Sequence, residues 1–207
     1  MDNDSRTQIW FIHGANSSPV SFTYMKEKLR EDPALFDAMF VDVQYDCSDK
    51  LSDVVKTIAA NLPRDTPIHF VGHSLGGVVS VAISQRVSHF KMPIDIRSVV
   101  TIASPLGGSE SADYLQWMYP SYHLFKNIST RNKVIKDMKS VGAVVPTLSL
   151  VTTSGNNPLF PTANDGVVTV KSQRALSGVD YIEVPFNHFE SLLSRDVVDH
   201  VRLFLTV

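Results

Sequence analysis

The sequence predicts an α/β protein, with one domain over residues 1–207 and a mostly parallel sheet of about six strands covered by helices on both faces. Short β-rich runs alternate with helix-like segments, which is typical of parallel strands joined by helical crossovers. One apolar run ends abruptly in a serine flanked by glycines, as at a sharp strand-to-helix turn. The length of 207 residues and the hydrophobic fraction of 43% suit a single large core.

The predicted strands are apolar runs rich in β-branched and aromatic residues, bounded by polar or turn-forming residues. They are residues 7–12, 39–44, 68–71, 96–102, 147–151 and 181–184.

Three segments are predicted to be helices. Between the second and third strands, apolar residues recur at helical spacing and Pro63 then ends the helix. Those residues are Leu51, Val54, Val55, Ile58, Ala59 and Leu62. Residues 78–87 are helix-like. A final amphipathic helix is expected to close the sheet, with Leu192, Leu193, Val197, Val198, Val201 and Leu205 on its apolar side.

The motif Gly72-His73-Ser74-Leu75-Gly76 follows the third strand and precedes a helix-like run. A serine hydroxyl becomes an effective nucleophile when it is held out of the fold beside a base. A sharp turn that presents it brings backbones close together, so residues two before and two after the serine must be small. The alternative is a glycine-rich turn with an incidental serine.

In this context the motif resembles the nucleophile elbow of the α/β-hydrolase superfamily, in its lipase and esterase branch. The first strand begins near residue 7, so the resemblance is to minimal members such as the small bacterial lipases. It implies an acidic residue and then a histidine downstream of Ser74, each on a loop after a strand.

Asp165 is the acid that this order selects, in Asn164-Asp165-Gly166-Val167-Val168 after the fifth strand. This segment resembles the acid-bearing segment of lipase-like members. An Asp-Gly pair is also a common turn, so Asp165 as a purely structural turn residue remains the alternative. Other acids fit the order less well, namely Asp95, Asp113 and Asp180.

His188 is the base that the order selects, because it directly follows the last strand. Histidine suits proton transfer since its ordinary pKa lies near neutrality. A surface histidine without a catalytic role is the alternative. Five other histidines lie inside a strand, in the motif itself or away from the expected loops, at positions 69, 73, 89, 123 and 200.

Backbone amides are needed to stabilise the oxyanion that forms when a carbonyl is attacked. Leu75 follows the nucleophile at the start of a helix, where the helix dipole favours an anion. Ala15 is the second expected donor, because His13-Gly14 after the first strand resembles the oxyanion loop of lipases and esterases. A tight loop without catalytic duty is the alternative for His13 and Gly14.

The longest insertion between strands, residues 106–146, is compatible with a small helical cap that grips an acyl chain. Two helices that cover the sheet with aromatic residues in the core are the equal alternative. The apolar residues of the segment include Tyr114, Trp117, Met118, Tyr119 and Tyr122. The candidates for substrate binding are Phe22, Leu106, Trp117, Met118 and Phe160.

The resemblance implies a serine hydrolase that cleaves carboxylic esters through an acyl-enzyme, with Ser74, His188 and Asp165 as the triad. Its substrate would be a small-molecule or lipid-like acyl ester, and it would need no metal or organic cofactor. The same triad also suits a thioesterase, an acyltransferase or an amidase. A non-catalytic binding protein on the hydrolase fold is a further alternative.

Charge and cysteine content narrow the partners and the location. A net charge of -2 without a basic cluster gives no reason to expect nucleic acid or an anionic membrane as partner. Cys47 is the only cysteine, so no internal disulfide forms, and we interpret it as a bystander thiol. No apolar run reaches the roughly 20 residues of a membrane span, and residues 1–6 lack a secretory signal. We expect a cytoplasmic protein whose oligomeric state stays open.

Overall fold

A six-stranded parallel sheet organises the part of the chain that the computed structural model describes, which is residues 6–118, 123–155, 157, 160 and 162–206. The strands are β1 (Gln8–Ile12), β2 (Met39–Val43), β3 (Pro67–His73), β4 (Asp95–Ile102), β5 (Thr147–Thr152) and β6 (Asp180–Val184). Every neighbouring pair is parallel, in the order β2-β1-β3-β4-β5-β6. The predicted fold class is confirmed.

Eight α-helices connect the strands among the described residues. They are α1 (Thr23–Leu29), α2 (Leu51–Ala60), α3 (Leu75–His89), α4 (Glu110–Met118), α5 (His123–Ile128), α6 (Lys133–Val141), α7 (Val170–Gln173) and α8 (Arg195–Leu205). Helices α2 and α3 pack on one face of the sheet, with α6 against α3. Helices α1 and α8 pack together on the other face. Both faces of the sheet are therefore covered, as predicted.

The strand order reverses direction beside β1. The chain moves outward from β1 to β2 and then returns to place β3 on the other side of β1. The segment after β1 leads to α1 on one face, whereas β3 leads directly to α3 on the opposite face. A crevice opens at such a reversal beyond the carboxyl ends of the strands. The loop at residues 13–16 and Ser74 both lie at this point.

The final helix begins later than predicted. Ser194 has an extended backbone, and its hydroxyl accepts a hydrogen bond from the amide of Val197, which is the geometry of a helix N-cap. The preceding residues, Glu190–Leu193, form a short 3-10 helix that leaves Leu193 65% exposed. Leu193 is therefore not part of the apolar side of α8, and that detail of the prediction was wrong.

The segment 106–146 contains three helices within its described part. Helix α6 buries Ile135 and Met138 against the core, so it belongs to the layer that covers the sheet. Helix α4 contacts α5 and leaves Tyr114, Trp117 and Met118 exposed. Of the predicted cap residues, Tyr119 and Tyr122 lie outside the described residues.

The longest described helix, α3, has 15 residues, which is shorter than the roughly 20 that a bilayer span needs. Among the described residues, no helix combines the length and the apolar character required to cross a membrane.

Candidate active site

Ser74 stands at the turn between β3 and α3 with a strained backbone. Its φ of 54° and ψ of -123° lie outside the regions that residues other than glycine ordinarily adopt. A 2.9 Å hydrogen bond from the Ser74 amide to the carbonyl of Ile102 on the neighbouring strand stabilises this conformation. Ser74 keeps part of its surface exposed while its neighbours His73 and Leu75 are buried. The turn therefore presents this side chain to solvent.

The two glycines that flank the turn have no room for a side chain. A methyl group on Gly72 would lie 2.5 Å from the backbone oxygen of Gly76. One on Gly76 would lie 1.9 Å from the carbonyl oxygen of Ile12 at the end of β1. The spacing of the motif therefore follows from backbone contacts, as the sequence predicted.

Asp165 and His188 are brought together although 23 residues separate them. Nδ1 of His188 donates to Oδ2 of Asp165 over 2.8 Å, and both side chains are buried. The amide of His188 also donates to the carbonyl of Asp165. Since a carboxylate only accepts, Nδ1 carries the proton and the lone pair of Nε2 is left as a base.

The Asp165 carboxylate is satisfied by donors from several parts of the chain. Oδ1 accepts from the amides of Val167 and Val168, at 2.9 and 2.7 Å. Oδ2 also accepts from the Thr152 hydroxyl at 2.5 Å and from the Gln173 amide at 3.3 Å. Burial by itself would raise the pKa of Asp165, but hydrogen bonds from His188, Thr152 and Val168 outweigh it and hold the pKa below its usual value.

Thr152 and Gln173 are site residues that the sequence reasoning missed. The Gln173 side chain is fully buried and pairs with the backbone of Thr152, accepting from its amide at 2.9 Å and donating to its carbonyl at 3.0 Å. Together, the side chains of Thr152 and Gln173 connect the end of β5 to the Asp165 carboxylate through hydrogen bonds. No local pattern marks them, because their partners are 8 to 21 residues away.

His73 supports the loop that carries His188. Its Nε2 donates to the backbone carbonyl of His188 over 2.9 Å, and the two rings lie 4.8 Å apart. Burial, together with the nearby His188, lowers the pKa of His73 to about 3. The side chain is therefore neutral at physiological pH and acts as a fixed donor that joins the turn at Ser74 to the His188 loop.

Gly14 packs directly on the serine. A methyl group at Gly14 would lie 3.0 Å from Cβ of Ser74 and 3.1 Å from Nδ1 of His73. The next residue, Ala15, is half-buried, and Leu75 begins α3, where amides have no acceptor within the helix. Both predicted oxyanion donors therefore lie on segments that adjoin Ser74.

Ser74 and His188 form no hydrogen bond with each other among the described residues. Hydrogen bonds of this kind are often long in an unliganded site and tighten when substrate binds. Within the same part of the chain, no cluster of three or more histidine, cysteine or acidic residues is placed to hold a metal ion.

The structure places the predicted substrate-binding residues in different environments. Phe22 and Leu106 have no exposed surface because they pack in the two cores on opposite faces of the sheet, and the expectation that they line a pocket is corrected. Phe160 lines a cavity of about 490 Å³ together with Gly107, Val168 and Lys171. Trp117 and Met118 are exposed on α4.

The parallel sheet, the strained serine between β3 and α3, and the Asp165–His188 pair at the carboxyl ends of β5 and β6 define an α/β-hydrolase fold. The chain belongs to the PGAP1-like alpha/beta domain family, whose family model matches residues 13–157. The predicted membership of the α/β-hydrolase superfamily is confirmed. The match includes the loop at 13–16 and Ser74 and ends before Asp165 and His188.

Solved structures of similar fold include several hydrolases. The mature lipase BlEst2 of Bacillus licheniformis has a TM-score of 0.76 and 20% identity, covering 98% of this chain and 93% of that chain. The metagenomic carboxyl esterase MGS0156 has a TM-score of 0.69 and 15% identity, covering 98% and 76%. The RedJ thioesterase of the prodiginine pathway in Streptomyces coelicolor has a TM-score of 0.56 and 15% identity, covering 97% and 84%. The search of curated proteins found no match.

Proposed function

We propose that this protein is a serine hydrolase that cleaves carboxylic esters through Ser74, His188 and Asp165. The observation that carries the proposal is the 2.8 Å hydrogen bond from His188 Nδ1 to Asp165 Oδ2, at the sheet edge where Ser74 stands in a strained turn. Lipases, an esterase and a thioesterase among proteins of similar fold support ester cleavage as the reaction class.

In the first half of the reaction, Nε2 of His188 takes the proton of the Ser74 hydroxyl as its oxygen attacks the acyl carbonyl. Asp165 holds the imidazole in the tautomer with the proton on Nδ1 and stabilises the imidazolium that forms. The imidazolium then returns its proton to the leaving alcohol, and an acyl-enzyme remains.

In the second half, water attacks the acyl-enzyme with His188 again acting as base, which releases the acid and restores the serine. Each attack places negative charge on the carbonyl oxygen of the acyl group. The amides of Ala15 and Leu75 donate to that oxygen, and the dipole of α3 adds to the stabilisation.

A thioester is the second substrate class, favoured by the likeness to the RedJ thioesterase. A thioester passes through the same acyl-enzyme, so the triad does not discriminate between the two. A matched series of acyl esters and acyl thioesters separates these functions by the ratio of kcat/KM.

The first experiment measures hydrolysis of nitrophenyl esters from acetyl to palmitoyl by the wild type and by Ser74→Ala. We expect the activity of Ser74→Ala to be several orders of magnitude below that of the wild type. We also expect a fluorophosphonate to label Ser74 in the wild type. Ser140→Ala, an exposed serine on α6, is the matched control and keeps wild-type activity. Folded wild type with neither labelling nor activity above Ser74→Ala on esters or thioesters would contradict the proposal and favour a binding protein.

A further inference from the structure

The loop at residues 13–16 rests on a second segment, residues 45–50, which follows β2 and is called the brace loop below. The hydroxyl of Tyr45 donates to the backbone carbonyl of His13 over 2.8 Å. The Tyr45 ring also stacks on the His13 ring, with centroids 4.6 Å apart and an angle of 18° between the planes. Tyr45 therefore contacts both the backbone and the side chain of His13.

The brace loop contacts the far end of the same segment through Cys47. The amide of Asn16 donates to Sγ of Cys47 over 3.5 Å, and the thiol lies 3.8 Å from Oδ1 of Asn16. Asn16 has a φ of 52°, a left-handed conformation that asparagine adopts more readily than most residues. Cys47, which the sequence suggested to be a bystander thiol, contacts this residue next to Ala15.

His13 links these contacts to the peptide that carries the Ala15 amide, through a hydrogen bond from its own side chain. Nδ1 of His13 lies 2.8 Å from the carbonyl oxygen of Gly14, and because a carbonyl only accepts, Nδ1 donates. This fixes the plane of the peptide between Gly14 and Ala15. The peptide is trans, so the Ala15 N–H points away from the Gly14 carbonyl. The orientation of His13 therefore sets the direction in which the Ala15 amide points.

The Tyr45 hydroxyl is suited to a fixed donor role. Burial raises the pKa of Tyr45, with a smaller contribution from the nearby Cys47, so the hydroxyl keeps its proton throughout the physiological range.

The brace loop is itself anchored by Asn127 on α5. Its side-chain amide donates to the carbonyls of Cys47 and Asp49, at 3.0 and 2.7 Å. Its side-chain oxygen accepts from the amide of Leu51 at the start of α2, at 3.0 Å. Asn127 is 4% exposed, so these hydrogen bonds are shielded from water. One side chain from the 106–146 segment thereby holds the middle of the brace loop and the start of the helix that follows it.

We propose that the brace loop positions the oxyanion hole, with Tyr45 as a positioning residue and Asn127 as the anchor that links the hole to α5. The proposal rests on the function proposed above, because it assigns the Ala15 amide as an oxyanion donor. Neither residue touches the reacting atoms, and each acts through the backbone of residues 13–16.

The test compares Tyr45→Phe and Asn127→Asp with Tyr181→Phe as the matched control. Tyr45→Phe keeps the stacked ring and removes the hydroxyl. Asn127→Asp keeps an oxygen for the Leu51 amide and removes both donors. The Tyr181 hydroxyl on β6 donates to the carbonyl of Leu176 over 2.5 Å and accepts from its amide over 3.0 Å, so its variant loses hydrogen bonds that do not involve residues 13–16 or the brace loop.

The first readout is kcat on a matched oxoester and thionoester. A thionoester develops charge on sulfur, which is a weak hydrogen-bond acceptor and gains little from the hole. We expect both test variants to lower kcat for the oxoester about tenfold, less than the 100-fold or more that follows outright loss of a donor, with KM little changed. The thionoester rate stays near wild type, so the ratio of the two rates falls. An equal fall for both substrates, or the same result in Tyr181→Phe, overturns the inference.

The second readout does not require activity. Amide hydrogen exchange of Ala15 and Asn16 should speed up in Tyr45→Phe and Asn127→Asp and stay unchanged in Tyr181→Phe. Unchanged exchange in both test variants overturns the inference whatever the activity. An inactive wild type whose exchange responds in this way would overturn the proposed function and leave the support of the 13–16 loop by Tyr45 and Asn127 standing.

Discussion

Asp165 is a buried carboxylate that stays ionised because every side of it meets a donor. Two backbone amides hold Oδ1, while His188, Thr152 and Gln173 converge on Oδ2. Burying a carboxylate without such partners costs free energy. The positions of the donors therefore determine where the carboxylate can lie. They fix Oδ2 on the line to His188, which is the geometry that a base-orienting acid requires.

At the same scale, His73 should make folding sensitive to acid. An unfolded chain protonates this histidine near the ordinary pKa of 6.5, whereas the folded protein resists until its pKa of about 3. Between these two pKa values the unfolded state binds more protons than the folded state. The stability that neutral His73 contributes is therefore complete above pH 6.5 and is lost as the pH falls below that value. Asp165, whose pKa is lowered below 3.8, loses its contribution only at more acidic pH. His69 adds to the effect of His73, since burial also lowers its pKa.

The free energy of unfolding of the wild type should fall between pH 7 and pH 5. We expect the fall to be about 2 kcal/mol smaller in His73→Gln. Urea denaturation at the two pH values measures the difference. His89→Gln, which changes an exposed histidine, is the control and should keep the wild-type dependence. An identical loss in His73→Gln and wild type would mean that His73 is not the buried neutral group described above.

The glycine-flanked motif selected Ser74, and the chain order implied by the family resemblance then selected Asp165 and His188, each beyond an apolar strand that the sequence makes visible. The partners of these residues were invisible for a physical reason. Thr152, Gln173 and Tyr45 act through hydrogen bonds to segments that only the folded chain brings near, and polar residues at such positions are common in any protein. Phe22 is placed by long-range packing, since its ring lies in the core 5.2 Å from the ring of Phe11.

At the scale of elements, the turn between β3 and α3 is built on contacts to β1. Gly76 touches the carbonyl of Ile12, and a methyl group there would also lie 2.6 Å from the carbonyl of His13. The helix that presents Ser74 therefore packs on the strand that leads into residues 13–16. We expect a change in this packing to displace Ser74 and that loop together.

Gly76→Ala should cost about 3 kcal/mol of unfolding free energy, because backbone atoms cannot move aside as a flexible side chain does. Gly178→Ala is the matched control. It adopts a φ of 73° but has no atom nearer than 3.7 Å, so only backbone strain of about 1 kcal/mol is expected. Denaturation of both variants checks the comparison. Equal stability of the two would show that the contact between α3 and β1 relaxes freely.

The six strands and three of the helices, α2, α3 and α8, were predictable because each depends on a short-range pattern. All six strands coincide with β-branched and aromatic runs, and α2 has its apolar residues at helical spacing. The start of α8 was misjudged because Leu192 and Leu193 extend the apolar pattern. The N-cap geometry of Ser194 overrides that pattern and begins the helix three residues after Leu192.

For the whole molecule, the reversal of strand order beside β1 explains why the site is assembled from distant parts. The segment after β1 leads toward one face and the helix behind Ser74 leaves β3 toward the other, which is the arrangement at which a crevice forms beyond the carboxyl ends of parallel strands. Asp165 and His188 reach the same edge from β5 and β6. The family model matches residues 13–157 and therefore includes the 13–16 loop and Ser74. Asp165 and His188 lie beyond the match, and the fold brings them to the same edge of the sheet.

The exposed apolar side chains of α4 suggest where acyl-chain selectivity arises. Trp117 is 79% exposed, with its ring 6.4 Å from that of Tyr114, on the helix that follows the loop at the carboxyl end of β4. We expect Trp117→Ala to change the free energy of unfolding by less than about 0.5 kcal/mol, because the side chain buries little in the folded protein. It should raise KM several-fold for palmitoyl esters and leave the acetyl ester unaffected, because we expect only a long acyl chain to pack against the indole ring.

Phe36→Ala is the matched control for that experiment. Phe36 is also 79% exposed, but it precedes β2 and so lies at the amino end of the strands, whereas Ser74, Asp165 and His188 follow their carboxyl ends. Its loss should leave the dependence of KM on chain length as it is in the wild type. The same shift in both variants would indicate nonspecific adsorption of long-chain esters, and no shift in Trp117→Ala would remove α4 from the substrate-binding surface. A shift confined to Trp117→Ala would place the acyl chain along α4, the helix that contacts α5, where Asn127 lies.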